Sequence, residues 1–318
     1  MLSIAHIINP VDIGSQSDLF IAQPITFETM RRAKVYAEGQ VEVELYTTQY
    51  PEDHAILPDG FTILPDMTRS ALDIAQFSVP RKLPLLKDIL DRMYEASDAD
   101  YFIYTNVDIA LMPNFYVSVA KMLEEHDALV INRRTISNQY AQPDEIPLMY
   151  ALAGNQHQGW DCFVFRRELY PQFEFGTSFI GIIHIGLLFY ANLLALADSF
   201  CEHKDMHLTF HIGDDRVWSG DKFNDYSEHN MDQMVASLLK LREKIGTLDS
   251  STAIGKFIYR KHIYEHRYRL REALLLDYDD DELEKLYWKY RNRQKRNRFQ
   301  KQIRRQIRQF IKRLTNSG

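Results

Sequence analysis

Cysteine is scarce in this 318-residue chain. Cys162 and Cys201 are too few for a disulfide framework, and they read as buried small apolar residues in a reducing compartment rather than as a redox pair. A basic segment is missing at the N-terminus, where Met-Leu-Ser-Ile-Ala-His-Ile-Ile-Asn-Pro carries only a short apolar run interrupted by His6. That stretch reads as a first strand and not as a signal peptide. Long hydrophobic runs are nearly absent. Phe179 to Ala197 has no formal charge and approaches the length that spans a bilayer. Gly181, His184, Gly186 and Asn192 within it would be costly in lipid, so a buried core segment is the expectation.

What is present is ample material for a core: 45% hydrophobic, 26% charged and 12% aromatic residues. This fits one large α/β domain, or one domain with appendages. Charge is unevenly spread. From Arg291 onward there are eleven basic residues and no acid; the whole chain carries −6, so residues 1–290 carry −17. An acidic body thus bears a basic tail.

Ile4 to Ile8 is an apolar strand closed by Asn9-Pro10, and the polar Asp12 to Asp18 leads to a helix predicted from about Thr26 to Tyr36. Val41 to Tyr46 alternates apolar and acidic residues as a half-solvated strand, and Phe61 to Leu64 is a third. Arg81-Lys82-Leu83-Pro84 opens a helix to about Ala96, with Leu85, Leu86, Ile89, Leu90 and Met93 as its buried stripe. After a helix over Asn114–His126, Ala128 to Asn132 is another strand, and the long polar stretch Arg133 to Gly159 reads as a loop, either a flap over a ligand or an insertion. Met231–Ile245 and Lys256–Leu275 have helical period; Asp277 to Glu284 is an acidic, solvated helix start.

The chain is organised around Tyr101 to Pro113. Tyr101–Tyr104 is a buried strand by its aromatic and β-branched content, Asn106-Val107-Asp108 follows at its carboxyl end, and Pro113 begins a helix. Ligands of open α/β sheets bind at that end. A carboxylate there, with an amide oxygen two residues earlier, suits a hard divalent cation that also grips phosphate. Gly159-Trp160-Asp161 is the second informative stretch: glycine admits close backbone approach, Trp160 offers a flat face to a sugar ring, and Asp161 stands at a strand mouth. The third is His207-Leu-Thr-Phe-His211, a strand ending at Gly213-Asp214-Asp215-Arg216.

Asn106-x-Asp108, with the order of strands and helices before it, resembles the metal motif of GT-A-fold glycosyltransferases in its N-x-D variant. The resemblance implies an α/β fold, a GT-A-like (Rossmann-like) mixed sheet flanked by helices, with a C-terminal helical extension. It implies Mn²⁺ or Mg²⁺ at Asp108 and Asn106, with His211, or His229 as a second candidate, completing the shell. The donor nucleotide-sugar would be contacted by Asn9, Arg81, Lys82, Asn106, Trp160 and Asp215. Asn9 as a turn former, and Arg81 and Lys82 as solvated residues of a helix start, are the plain alternatives. Inverting members commonly carry a Glu-Asp or Asp pair at the start of the next helix. Here that region is Ile-Gly-Ile-Ile-His-Ile-Gly with no carboxylate between Phe175 and Ala197, which leaves Asp161 as the candidate base; its alternative is a strand or turn partner.

The expected organisation is a catalytic domain over 1–245 (nucleotide-sugar half 1–132, acceptor half 133–230), a helical support over 246–290 and a basic amphipathic tail over 291–318. The expected acceptor is a saccharide or lipid-linked hydroxyl, in a cytoplasmic protein peripheral to the inner membrane face. In the tail, Phe299, Ile303, Ile307, Ile311 and Leu314 form one stripe among arginines, the pattern of a helix on an anionic membrane over 291–314. Docking on the acidic body, a partner groove and nucleic acid are the alternatives, and no nucleic-acid partner is expected. A sugar nucleotidyltransferase is disfavoured because Asp12–Asp18 holds one glycine and no Lys or Arg. A non-enzymatic membrane or RNA adaptor acting through the tail is the remaining alternative.

Overall fold

A computed structural model of the chain describes residues 1–213, 223–248 and 252–258. The chain divides into two compact units, Met1–Leu241 and Arg242–Gly318. Asp214, Asp215, Arg216, the acidic helix start at Asp277, most of Lys256–Leu275 and the basic tail lie outside the described residues.

In chain order the strands are β1 (Ser3–Ile8), β2 (Glu42–Thr47), β3 (Thr62–Ile63), β4 (Tyr101–Thr105), β5 (Ala110–Leu111), β6 (Ala128–Ile131), β7 (Arg134–Ile136), β8 (Asn155–Gln156), β9 (Cys162–Arg166), β10 (Phe200–His203) and β11 (Thr209–Ile212). The helices are α1 (Leu19–Ala37), α2 (Leu86–Ala96), α3 (Phe115–Met122), α4 (Ile146–Tyr150), α5 (Ile185–Leu196) and α6 (Asn224–Ile245). Seven strands make a mixed central sheet in the order β10-β6-β9-β4-β1-β2-β3, flanked by helices. Every pair in it is parallel except those of β9, which runs antiparallel to both β4 and β6.

β4 and β6 read as unbroken apolar runs because both sheet faces are covered, and all their residues are buried. In β2 the alternation predicts the outcome: Val43 and Leu45 are buried while Glu42 and Glu44 face solvent. The antiparallel β9 has a consequence for the site. Its first residue, Cys162, pairs with Thr105 at the end of β4 and with Ile131 at the end of β6. The residues just before β9 therefore share one sheet edge with those just after β4 and β6.

A second, smaller sheet has the order β5-β11-β7-β8. It corrects the reading of Arg133–Gly159 as a loop: β7, α4 and β8 all lie there, with Ile136, Ile146 and Met149 in a core cluster that includes Phe210 and Ile25. Strands of two or three residues carry too little local pattern to be seen in sequence. They exist because β11 and β7 supply their partners.

Two helix starts also differ. α1 begins at Leu19, seven residues before Thr26 and with Pro24 inside it. Its first turn is held by tertiary bonds, since the Gln23 side chain accepts from Val11 N–H and donates to the Val11 carbonyl. α2 begins at Leu86 and not at Arg81. Pro84 biases Leu83 away from helical geometry, and Leu83 instead accepts a hydrogen bond from Ala71 N–H while Leu85 bridges to Phe179. Phe179–Ala197 is a buried core segment that ends in the twelve-residue α5. Among the described residues no helix is long and apolar enough to cross a membrane.

His6 sits fully buried in β1 between the Tyr116 hydroxyl and Thr105 Oγ1, each at 2.9 Å. Burial pushes its imidazole down from 6.5 to about 3. The unfolded chain then binds a proton that the folded chain rejects, so stability is full above pH 6.5 and is lost as pH falls toward 3. At pH 5 the loss is about 2 kcal/mol, at ~1.4 kcal/mol per pH unit below 6.5. Urea unfolding at pH 7.5 and pH 5 should show that difference shrinking in His6→Gln; equal slopes in the two proteins would count against it.

Candidate active site

Asp108 lies three residues past β4 and two before β5, which pairs with β11 and so brings His211 across to it. His211 Nε2 is 3.2 Å from Asp108 Oδ2, and its Nδ1 is 2.8 Å from the Gly213 carbonyl. A carbonyl only accepts, so Nδ1 carries the proton and donates to Gly213. In the neutral ring the Nε2 lone pair then faces a carboxylate oxygen, an arrangement that needs a proton or a cation between the two. Burial pushes the His211 imidazole down, but the Asp108 carboxylate outweighs it and raises the ring above its ordinary value. For Asp108 burial pushes up, and His211 with the more distant Arg133 holds the carboxyl below the usual range.

The second carboxylate is Asp161, brought to the same edge by the reversed direction of β9. Arg133, two residues past β6, places its guanidinium 3.0 Å from Asp161 Oδ1, and both side chains are nearly enclosed. His157 Nδ1 accepts from Gly159 N–H at 2.9 Å and lies 3.8 Å from Asp161 Oδ2. A Cβ on Gly159 would fall 2.5 Å from the His157 ring, so a larger residue here would require that ring to shift. Burial pushes the Asp161 carboxyl up and the charge of Asp108 adds to it; Arg133, His157 and His211 oppose the rise without cancelling it. A half-buried carboxylate, Asp108, and a buried one, Asp161, thus sit within electrostatic reach, the first held low and the second held high.

Whether the site suits a divalent cation is tested by its donor atoms. Among the described residues Asp108 Oδ1 is buried without a hydrogen-bond partner, as is Asp161 Oδ2. The 3.2 Å between His211 Nε2 and Asp108 Oδ2 is compatible with two neighbouring ligands of one cation bound at about 2.1 Å. Asn106 Oδ1 already accepts from the Tyr104 hydroxyl at 3.2 Å. Among the described residues no group of three or more His, Cys, Asp or Glu side chains is placed to hold a metal ion. Asp108 with His211 fits an open site that leaves most positions to substrate oxygens and water.

The remaining residues singled out by sequence fall into separate places. Asn9 is buried at the end of β1 and donates its amide to the Thr48 carbonyl past the end of β2. Lys82 lies over the Tyr50 ring, 3.9 Å from its centroid, and pairs with Glu52 at 2.5 Å, so it joins the same segment after β2. Arg81 stacks instead on Phe223, 4.6 Å from its centroid, and its backbone N–H donates to the Tyr226 hydroxyl. His229 stacks on Phe179 and bonds Thr177 through Nε2; the histidine that meets Asp108 is His211. Trp160 is half-buried, donates Nε1–H to Glu202 at 2.8 Å and stacks against Tyr190.

Arg133, His157 and Glu202 are not among the site residues that the sequence singles out. Arg133 had a visible signal, since it follows an apolar strand just as Asn106 follows β4. His157 and Glu202 had none, because only the fold brings them to Asp161 and Trp160.

No family model matches the chain, and no curated protein matches its sequence. Several solved structures are similar in fold. One is S. aureus TarS 1-349 in complex with UDP-GlcNAc, at 9% identity and a TM-score of 0.44 over 76% of this chain and 73% of that one. Another is glucosyl-3-phosphoglycerate synthase from Mycobacterium tuberculosis with Mn²⁺, UDP and phosphoglyceric acid, at 14% identity and a TM-score of 0.44 over 74% and 78%. Likeness at this level leaves the role of each residue to the chain's own geometry.

Proposed function

We propose that the chain is a glycosyltransferase that moves a sugar from a nucleotide-sugar donor to an acceptor hydroxyl. The observation that carries the proposal is the pair of carboxylates, Asp161 buried and Asp108 half-buried, at the carboxyl edge of the sheet. Asp108 faces His211 and Asp161 faces Arg133, and among the described residues each retains a buried oxygen without a hydrogen-bond partner. A structural role would be served by satisfied groups, whereas buried acceptors left open in a polar cluster suit a cationic or proton-bearing ligand.

In this reading Asp108 and His211 hold Mn²⁺ or Mg²⁺. The cation supplies charge neutralisation for the diphosphate that leaves with the nucleotide. Asp161 is the base: its carboxyl, held above the ordinary range, accepts the acceptor hydroxyl proton on Oδ2 as the hydroxyl oxygen bonds to the anomeric carbon and the bond from that carbon to the diphosphate oxygen breaks. Arg133 fixes the base through Oδ1. Asn9 and Lys82, both tied to the segment after β2, line the nucleotide side, and Trp160 lies on the sugar side next to the base. This is the inverting course; the acceptor is a saccharide or a lipid-linked glycan.

Thermal unfolding against UDP, GDP, ADP and CDP, with Mn²⁺ and with chelator, tests the proposal. Binding at a hundred times Kd stabilises by about 2.7 kcal/mol. The expected result is a metal-dependent rise in Tm with one nucleotide that disappears in Asp108→Asn. No rise with any nucleotide would refute the reading.

A further inference from the structure

A residue two places before Asp108 can serve a metal and diphosphate site in either of two ways. It can offer the cation an amide oxygen, or offer the diphosphate its N–H groups. Asn106 opens the turn that carries Asp108: Ile109 N–H donates to the Asn106 carbonyl at 3.1 Å, which closes residues 106–109 past the end of β4. An asparagine at such a place ordinarily turns its side-chain oxygen onto a backbone N–H of its own turn. Asn106 does not. Its Oδ1 lies 3.2 Å from the Tyr104 hydroxyl, on a side chain that is 1% exposed and stacked on Phe189 of α5. Burial, helped by the charges of Asp108 and Asp161, pushes that phenol above its ordinary range, so it keeps its proton.

That proton decides how the amide is turned. A buried O–H needs an acceptor, and among the described residues Asn106 is the one side chain within hydrogen-bond reach of it. With the amide reversed, Nδ2 would donate to the phenol and the phenol's own proton would be stranded. Oδ1 is therefore the end that faces Tyr104, and the N–H2 end is left over. Among the described residues Nδ2 makes no hydrogen bond, although Asp108 Oδ1 also lacks a partner. Asn106 is half-buried, as Asp108 is, and Nδ2 is not one of the enclosed polar atoms. Its two N–H groups thus open on the carboxyl edge of the sheet, in the same turn as the carboxylate.

Resting on the function proposed above, we infer that Asn106 donates hydrogen bonds to the phosphate oxygens of the nucleoside diphosphate and is not a ligand of the cation, with Tyr104 the positioning residue that aims it. An amide oxygen held by a phenol beneath it is directed into the protein. Hydrogen bonds to an anionic oxygen are about twice as strong as those between neutral groups. The turn thereby divides its work between two side chains, the carboxylate of Asp108 for the cation and the amide of Asn106 for the anion. Such an arrangement depends on the supporting bond that fixes the amide.

The experiment compares the full chain as wild type, Asn106→Ala, Asn106→Asp, Tyr104→Phe and the Tyr104→Phe/Asn106→Ala pair. Calorimetry at saturating Mn²⁺ measures binding of UDP, GDP, ADP and CDP, and loss of the free Mn²⁺ electron paramagnetic resonance signal measures metal binding without nucleotide. Asn106→Ala should weaken the nucleoside diphosphate that wild type binds about tenfold, ~1.4 kcal/mol, and leave Mn²⁺ binding within about twofold. Asn106→Asp should weaken it further, about a hundredfold, because a carboxylate has no donor and repels phosphate. A ligand of the cation would reverse that order, since carboxylate binds a hard cation better than an amide does. So would a partner of ribose hydroxyls, from which a carboxylate accepts. Tyr104→Phe should weaken the same nucleoside diphosphate about threefold with Mn²⁺ binding unchanged, and should add nothing to Asn106→Ala. If Tyr104→Phe does not fold, the two Asn106 variants decide alone. Unchanged nucleotide affinity in Asn106→Ala, affinity at or above wild type in Asn106→Asp, or loss of Mn²⁺ binding without nucleotide in Asn106→Ala overturns the inference and leaves the proposed function standing. Absence of nucleotide binding by wild type overturns the function and the inference together.

Discussion

Asp108→Asn should lower kcat/KM by a factor on the order of 10³ and lower stability modestly while leaving the chain folded. The activity loss is the transition-state charge stabilisation forfeited when a metal-bearing carboxylate is removed, roughly 4 kcal/mol. The stability expectation comes from the same geometry. The charge of Asp108 pushes the neighbouring Asp161 carboxyl up, but His211 and Arg133 hold its own carboxyl below the usual range, so folding favours the ionised form and the neutral amide gives that up. Initial-rate kinetics and urea unfolding on the same preparation check both halves. A variant within tenfold of wild-type activity, or one grossly unfolded, would contradict the assignment.

Arg133→Met should have the largest effect on folding, a destabilisation of about 3–5 kcal/mol, because it strands Asp161 as a buried carboxylate without its ion-pair partner. The side chains are 13% and 11% exposed, too enclosed for water to take over the role of the guanidinium. Adding Asp161→Asn to Arg133→Met should recover most of that loss, since the group that needed the arginine is then neutral. Urea unfolding of the two single variants and the double variant measures the coupling. Independent, additive losses would mean that the 3.0 Å contact carries little energy.

The central sheet was legible because buried parallel strands announce themselves as unbroken apolar runs: Ile4–Ile8, Tyr101–Tyr104 and Ala128–Asn132 all fall on strands of that sheet. Asp108 was singled out from its place at a strand end and His211 through the resemblance to GT-A enzymes, and the structure brings the two side chains to 3.2 Å. The direction of β9 left no local trace, and with it the meeting of Asp161 with Arg133. Direction is a property of topology, since an apolar run of five residues reads the same in either sense. The small sheet was missed for a related reason: β5 and β8 have two residues each, and their stability lies in their partners. Pro24 and Pro84 show local punctuation yielding to, and then deciding, a helix boundary. The first is overridden by the bonds of Gln23 to Val11, and the second ends the extended segment that precedes α2.

The claim that joins these observations is that Asp108 and His211 hold a divalent cation for a nucleotide diphosphate. The most direct measurement is the electron paramagnetic resonance signal of free Mn²⁺, titrated with the full chain in the presence of UDP, GDP, ADP or CDP. The account predicts that wild type removes the free signal about one ion per chain with one of these nucleotides, and that Asp108→Asn and His211→Ala do not. Equal depletion by all three proteins, or none by wild type with any nucleotide, would contradict it.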